Sequence, residues 1–365
     1  VSVTLGAGED KDFRSAEFLV TGATGFIGSA VVRELLTQHA GRRVRVLTRQ
    51  PIPQWMTEAG VTAVRGDLTQ PSTLQGMCAG VGTVLHFASQ IGGDPKTCAA
   101  VNEHGTRALL DEARRSGVTR VICLSTSAVY GMGAHRGFGE SELVPAPVSV
   151  TSRTRLAAER MVLAVGGMVL RPNVVYGNGD RHVVPTLVRW LRSVPMWADG
   201  GSARMSLVAV TDLAAAAVAL AGMKWDIGRV FHVNHPQPVR ARELITRVCE
   251  LLELPLPEGD LSVADHRTMT REAMPALTDH QHSMLVEDHW YDSSGIWDFT
   301  GLAPGPGLIA RLPEAAGWYR DRLGAPVGRP RPRLQERRQR CRGSSIFPCR
   351  QRGFLRAGDT VDRVG

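Results

Sequence analysis

One nine-residue run, Val20-Thr21-Gly22-Ala23-Thr24-Gly25-Phe26-Ile27-Gly28, constrains this chain more than any other feature. It joins an apolar, β-branched segment, 17–21, to an amphipathic one, 26–38, through three glycines. In a strand-to-helix turn each glycine has a task. Gly22 permits the tight turn, Gly25 lets the backbone approach a pyrophosphate, and Gly28 lets the helix pack closely on the strand. The helix N-terminus then turns its backbone N–H groups and positive dipole end toward the phosphates. Gly22, Thr24, Gly25, Phe26, Ile27 and Gly28 are therefore expected to border a bound dinucleotide.

From residue 17 short β-branched runs alternate with amphipathic segments, the pattern of an α/β fold. The expected architecture is a Rossmann-type, doubly wound parallel sheet with a smaller C-terminal substrate lobe. Strands are predicted at 17–21, 43–48, 62–65, 83–88, 120–125 and 168–171, with helices at 26–38 and at 98–116 before Gly117. The predicted organisation is an N-terminal extension, 1–15, and one domain, 16–323. Its nucleotide-binding core covers about 16–177 and its substrate lobe mainly 178–323. The segment 255–292 is rich in Pro, Met, His and acidic residues, so an irregular cap is expected there; a closing helix is expected at 308–323. Residues 324–365 are rich in Arg, Pro and Gly and read as a disordered tail.

The net charge of +8 sits in that tail, where residues 326–365 hold eleven arginines against three acidic residues. The rest of the chain is formally neutral, so no nucleic-acid partner is expected. The six cysteines form no close pair and read as reduced packing residues of a cytoplasmic protein. No secretory leader or membrane span is expected, since 213–223, the most apolar helix candidate, is far shorter than the roughly 20 residues a span needs.

The second predicted strand ends at Thr48-Arg49 and carries no carboxylate for an adenosine 2′-hydroxyl. An arginine there pairs with a 2′-phosphate, so Thr48 and Arg49 predict NADP(H) as the cofactor.

Further stretches follow in order: Gly66-Asp67-Leu68, Leu85-His86-Phe87-Ala88, Asn102-Glu103-His104-Gly105-Thr106, Leu124 to Gly131, Leu170 to Gly177, Ser206 to Leu213 and Asp292-Ser293-Ser294. With the glycine turn, these motifs resemble those of the extended short-chain dehydrogenases/reductases, which include nucleotide-sugar epimerases, dehydratases and ketoreductases. The resemblance covers about residues 16–323. It implies that Asp67 and Leu68 flank the adenine and that Phe87, Ala88 and Ser89 lie near the ribose and pyrophosphate. It also implies that Asn102 braces the site, that the loop after Pro172 covers the nicotinamide, and that Thr126 is the Ser/Thr bonding the substrate oxygen. Tyr130 and Tyr176 match structural tyrosines.

The family's S-P-Y-x-x-S-K-x-x-x-E pattern aligns with Ser149 to Glu159, and there the chain departs from it. Thr151 stands at the tyrosine position and Arg155 at the lysine position. The only tyrosines are 130, 176, 291 and 319, and none has Lys four residues on. A phenol is a workable general acid because a neighbouring ammonium lowers its pKa; a threonine hydroxyl is not, and arginine stays protonated. Thr151 is thus at most a hydrogen-bonding group and Arg155 a ribose or positioning residue.

Epimerisation and dehydration begin by removing a hydroxyl proton and need a base. One-way reduction of a ketone needs only a hydride, placement and a proton source. The sequence therefore favours a ketoreductase with a small-molecule ketone substrate. The Thr-x-x-x-Arg substitution resembles that of atypical family ketoreductases acting on angucyclinone-type aromatic polyketides in antibiotic biosynthesis, where a substrate phenol assists protonation. A nucleotide-sugar 4-ketoreductase or epimerase and a non-catalytic NADP-binding protein are the alternatives; oligomeric state is left open.

Asp279, His280, His282, Asp288 and His289 form a candidate metal cluster, although a solvated cap is the expected reading and no metal is assigned. Met269, Met274, Met284 and Trp290, with Pro195, Met196 and Trp197, either line an apolar cavity or pack a core. His135, Ser149, Asn173 and His182 are further residues placed near the site.

Overall fold

A computed structural model describes residues 17–39, 43–224 and 227–323. The expected extension at 1–15 and the tail at 324–365 lie outside the described residues.

The first half of the fold contains β1 (Glu17–Thr21), α1 (Phe26–Gln38), β2 (Val44–Thr48), β3 (Thr62–Arg65), β4 (Val81–His86), α2 (Gly105–Arg115) and β5 (Arg120–Leu124). It continues through β6 (His135–Phe138), α3 (Val150–Ala164), β7 (Met168–Arg171) and β8 (Val174–Tyr176). Next come α4 (Val183–Ser193), β9 (Met196–Ala198), β10 (Arg204–Met205), β11 (Leu207–Ala209), α5 (Val210–Gly222) and β12 (Val230–His232). Seven strands pair in the order β12-β7-β5-β4-β1-β2-β3, every pairing parallel, with helices on both faces. This is the expected Rossmann-type fold.

The alternation in β1 shows why the sheet needs two covers. Phe18 and Val20 point into a core shared with Val31 and Leu35 of α1 and Leu213 of α5, while Leu19 joins Leu109, Ala113 and Val162 on the opposite face. Glu17, buried at the start of β1, is held by ion pairs to Arg45 and Arg43. β12 and α5 come from beyond residue 177 yet complete the sheet and its cover, so the seven-stranded sheet and its helices are built from two stretches of chain.

Three expectations are corrected. The helix expected at 98–116 is a capped turn (Pro95–Cys98), a π-helical segment (Ala99–His104) and then α2. The wider π turn sets Asn102 toward Gln90 and Thr154, to which its amide bonds. The closing helix breaks into Leu308–Arg311, a 3-10 turn at Leu312–Ala315 and Ala316–Leu323. Pro313, lacking an N–H, lies in that break.

The third correction concerns 255–292, which is not an irregular cap. After β13 (Val239–Arg240) and α6 (Ala241–Leu252), it folds into β14 (Gly259–Leu261), α7 (Val263–Ala273), α8 (Asp279–Val286) and β15 (His289–Tyr291). Ser262 caps α7 and a Thr278–Gln281 capping box starts α8, stabilising helices that carry few apolar residues.

Candidate functional site

The C-terminal ends of β1, β2 and β4 are in register, Thr21 beside Leu47 and His86, and a cleft of about 320 Å³ opens beyond them. In parallel sheets this is where ligands bind. Of the residues singled out in the sequence, Gly22, Thr24, Gly25, Thr48, Arg49, Asp67, Leu68, Phe87, Ala88 and Ser89 line it.

The glycines show what the cleft admits. Gly22 has φ +70°, and a Cβ there would stand 2.6 Å from the Ala88 amide nitrogen. A Cβ on Gly28 would sit 2.7 Å from the Gly22 carbonyl carbon, so α1 rests directly on the turn. Gly25 forms the N-cap of α1 with no side-chain cap and no acidic residue in the first turn. The helix end is thus a set of backbone donors with positive potential, and a dinucleotide pyrophosphate fits it.

Asp67 accepts from the Thr69 backbone N–H (2.9 Å) and hydroxyl (2.8 Å), bonds that hold its carboxyl below the usual range. Arg49, 71% exposed, reaches only to 4.0 Å from that carboxylate. Arg45, four residues earlier in β2, is instead committed to Glu17 and the Met77 carbonyl.

Six expected residues do not line the cleft. Phe26 packs on Gly179, Ile27 on the core, and Gly28 lies beneath Gly22. Asn102 stands behind the wall, bonded to Ser89 and Gln90. The Pro172 carbonyl accepts from Ser127 (2.9 Å), tying the two loops beyond β5 and β7 together. Arg155, expected at a ribose, has Nη2 engaged with the carbonyls of Leu124 (2.7 Å) and Ser125 (2.9 Å), bracing α3 against β5, while its buried Nε has no partner among the described residues. Thr21, Leu47, Gly66, Gln90 and Val101 line the cleft without having been singled out. Thr21 and Gly66 belong to quoted motifs and Leu47 to a predicted strand, without a role of their own; Gln90 and Val101 carry no sequence signal.

Thr126 caps the 3-10 turn Ser127–Tyr130, its hydroxyl accepting from Ala128. Thr151 lies on the first turn of α3, and its hydroxyl accepts from the Gly92 N–H at 3.0 Å. The four tyrosines are all buried. Tyr130 bonds His232 (2.6 Å) and Arg171 (2.9 Å), the latter paired with Glu159 inside the protein. Tyr291 bonds His135, and Tyr319 bonds Asp180 and the Gly177 N–H. Burial pushes all four phenols above their ordinary pKa. No tyrosine is therefore tuned as a proton donor near neutrality.

Most of the remaining candidates are tied into the scaffold. Ser149 caps α3, Asn173 bonds Ser127 and the carbonyls of Ser206 and His289, and His135 is buried against Tyr291. His182 is exposed at the start of α4. Asp279 pairs with Arg271, His280 with the Met132 sulfur, His282 with His266 and Asp288 with Arg136. Among the described residues no three such side chains converge on a metal position. Met196 and Trp197 border a gap of only about 20 Å³, with Arg242 stacked 4.5 Å from the Trp197 ring centroid, so packing accounts for them. Among the described residues no helix is long and apolar enough to cross a membrane.

Known proteins resemble the chain in the same terms. It is 27% identical over 307 residues to the 2-alkyl-3-oxoalkanoate reductase of Stenotrophomonas maltophilia (strain K279a), covering 75% of this chain and 91% of that one. It is 31% identical over 257 residues to the dTDP-glucose 4,6-dehydratase of Streptomyces antibioticus, covering 62% and 74%. Among solved structures, MoeE5 in complex with UDP-glucose and NAD aligns with a TM-score of 0.64 at 26% identity, covering 85% of this chain and all of that one. Residues 18–233 match the model of the NAD dependent epimerase/dehydratase family, and with more than half its length so matched the chain belongs to that family of nicotinamide-dependent oxidoreductases.

Proposed function

We propose that the chain is an NADPH-dependent ketoreductase acting on an angucyclinone-type aromatic polyketide ketone, with the proton supplied by a phenol of the substrate. The observation that carries this reading is the pairing of Thr151 at the acid position with four tyrosines whose buried phenols are all pushed upward. A site so built has no titrating acid or base of the family's kind, which disfavours reactions that start by oxidising an alcohol. Reduction of a ketone beside a phenol has no such need. The Thr-x-x-x-Arg substitution is also the feature in which the chain resembles the ketoreductase of simocyclinone biosynthesis. The reductase from Stenotrophomonas maltophilia, by its name, likewise acts on a ketone.

Bound NADPH would supply the hydride. Gly22, Thr24 and Gly25 with the α1 N-terminus hold the pyrophosphate, Asp67, Leu68 and Phe87 border the adenine and ribose, and Arg49 pairs with the 2′-phosphate. Arg65, exposed at the end of β3 in register with Thr48, adds a second positive charge on that side. Thr126 donates a hydrogen bond to the substrate oxygen. Thr151 orders the Gly92 loop and Arg155 the end of β5. The likeness to nucleotide-sugar enzymes supports a second reading, a nucleotide-sugar ketoreductase.

The test is NADPH oxidation at 340 nm with an angucyclinone bearing a phenol beside its ketone, alongside a UDP-4-keto-sugar. Turnover of the aromatic ketone is expected. Turnover of the sugar alone would establish the second reading, and cofactor binding without turnover of either would mark a non-catalytic protein.

A further inference from the structure

A second concavity, of about 480 Å³, lies between α4 and the Met274–Leu277 link from α7 to α8. Its volume falls in the range of small-molecule sites, roughly 300–1,000 Å³. It shares no lining residue with the dinucleotide cleft. Met274, Pro275, Ala276 and Leu277 give one apolar wall. Across from them, Arg189 and Arg192 stand exposed on α4.

The two guanidiniums carry the argument. Nη2 of Arg189 donates to Thr186 Oγ1 at 3.0 Å, which fixes the group at the rim without neutralising it. Arg192 makes neither a side-chain hydrogen bond nor an ion pair to any described residue. The arginines of neighbouring α7 are each matched, Arg267 by Glu287 at 3.1 Å and Arg271 by Asp279 at 2.5 Å. The concavity thus combines apolar area with two uncompensated cations, and guanidinium is the cation best suited to pair with an acidic group beside apolar surface. The chain's own residues 326–365, with eleven arginines against three acids, carry the wrong sign to fill it.

We propose that this groove binds an amphipathic organic anion, its apolar body on Met274–Leu277 and its carboxylate, sulfonate or phosphate between Arg189 and Arg192. The site goes beyond the ketone-reduction reading and stands or falls independently of it, because its test measures binding and not turnover.

The full chain, saturated with NADPH, is titrated with 8-anilinonaphthalene-1-sulfonate and, in parallel, with the uncharged N-phenyl-1-naphthylamine. Arg192→Glu should weaken the sulfonate by about tenfold or more and leave the neutral amine within about twofold. Arg189→Glu should add to the loss. Ala276→Trp, which adds an indole to the apolar wall and fills the groove, should remove saturable binding of both probes, and a circular-dichroism spectrum checks its folding. Unchanged sulfonate affinity in the Arg189→Glu/Arg192→Glu double variant would overturn the assignment of the anion. Saturable binding surviving in folded Ala276→Trp would overturn that of the apolar wall.

Discussion

Gly28 and Gly25 are three residues apart in one turn, yet the structure assigns them different penalties. An alanine at 28 would put Cβ 2.7 Å from the Gly22 carbonyl carbon, nearer still to its oxygen, and 3.1 Å from Ala23 Cα. Ordinary contact needs at least about 3.5 Å between carbons, so α1 must lift from the end of β1 by most of an ångström. The atoms in the way are backbone and no rotamer change relieves them. Overpacking of this kind costs about 1–3 kcal/mol, which in a domain this large lowers Tm by about 2–6 °C. An alanine at 25 meets only the Gly22 oxygen, at 3.2 Å, and otherwise occupies the space where a phosphate would approach. Gly25→Ala should therefore fold with near-parental Tm and bind NADPH at least about tenfold more weakly, the loss of one or two backbone bonds to a charged group. Gly28→Ala should show both defects. Differential scanning fluorimetry gives Tm, and quenching of tryptophan fluorescence gives the affinity. Parental Tm in Gly28→Ala would refute the packing argument, and parental affinity in Gly25→Ala would refute the placement of the pyrophosphate.

Three other outcomes are expected. Among the described residues Arg49 has only Asp67, at 4.0 Å, as an anionic partner, so Arg49→Asp should weaken NADPH by about ten- to hundredfold and NADH far less; equal changes in isothermal titration would remove the case for NADP(H). Burial holds His86, His135 and His282 near pKa 4 in the folded chain, against about 6.5 unfolded. Below pH 6.5 the unfolded chain takes up protons that the folded chain refuses. Stability present above 6.5 is therefore lost as the pH falls toward 4, by about 1.4 kcal/mol per pH unit for each histidine; a urea midpoint that does not move between pH 7.5 and 5 would contradict this. Thr151→Ala should lose the bond from Gly92, about 0.5–1.5 kcal/mol of stability, and keep most of its reductase rate. Removal of a true general acid would cut that rate by about 10²–10⁴.

The parts of the fold legible in the sequence are those where two signals coincide. β1 and α1 were readable to the residue because an apolar run, three glycines and a helical pattern all mark the same boundaries. In 255–292 composition and local chemistry point in opposite directions: Ser262 and the Thr278–Gln281 box are helix start signals, but the helices behind them are poor in apolar residues. The π segment at Ala99–His104 had no signal, since its extra residue per turn answers to the hydrogen bonds of Asn102 with distant Gln90 and Thr154. In the candidate site, Gly22, Thr24 and Gly25 stand in one contiguous motif and line the cleft together. The inward commitment of Arg155 has no local signal, because the carbonyls that engage it lie 31 and 30 residues earlier, at the end of β5.

The proposed reaction takes its proton from the substrate. It is tested most directly by single-turnover hydride transfer to two ketones that differ only in whether the phenol beside the carbonyl is free or O-methylated, with dissociation constants measured for both. The methyl ether should bind within a few-fold of the parent while its reduction slows by about 10²-fold or more. Reduction of the methyl ether at the parent rate would show that the phenol is not the donor and that the proton comes from the protein or from solvent.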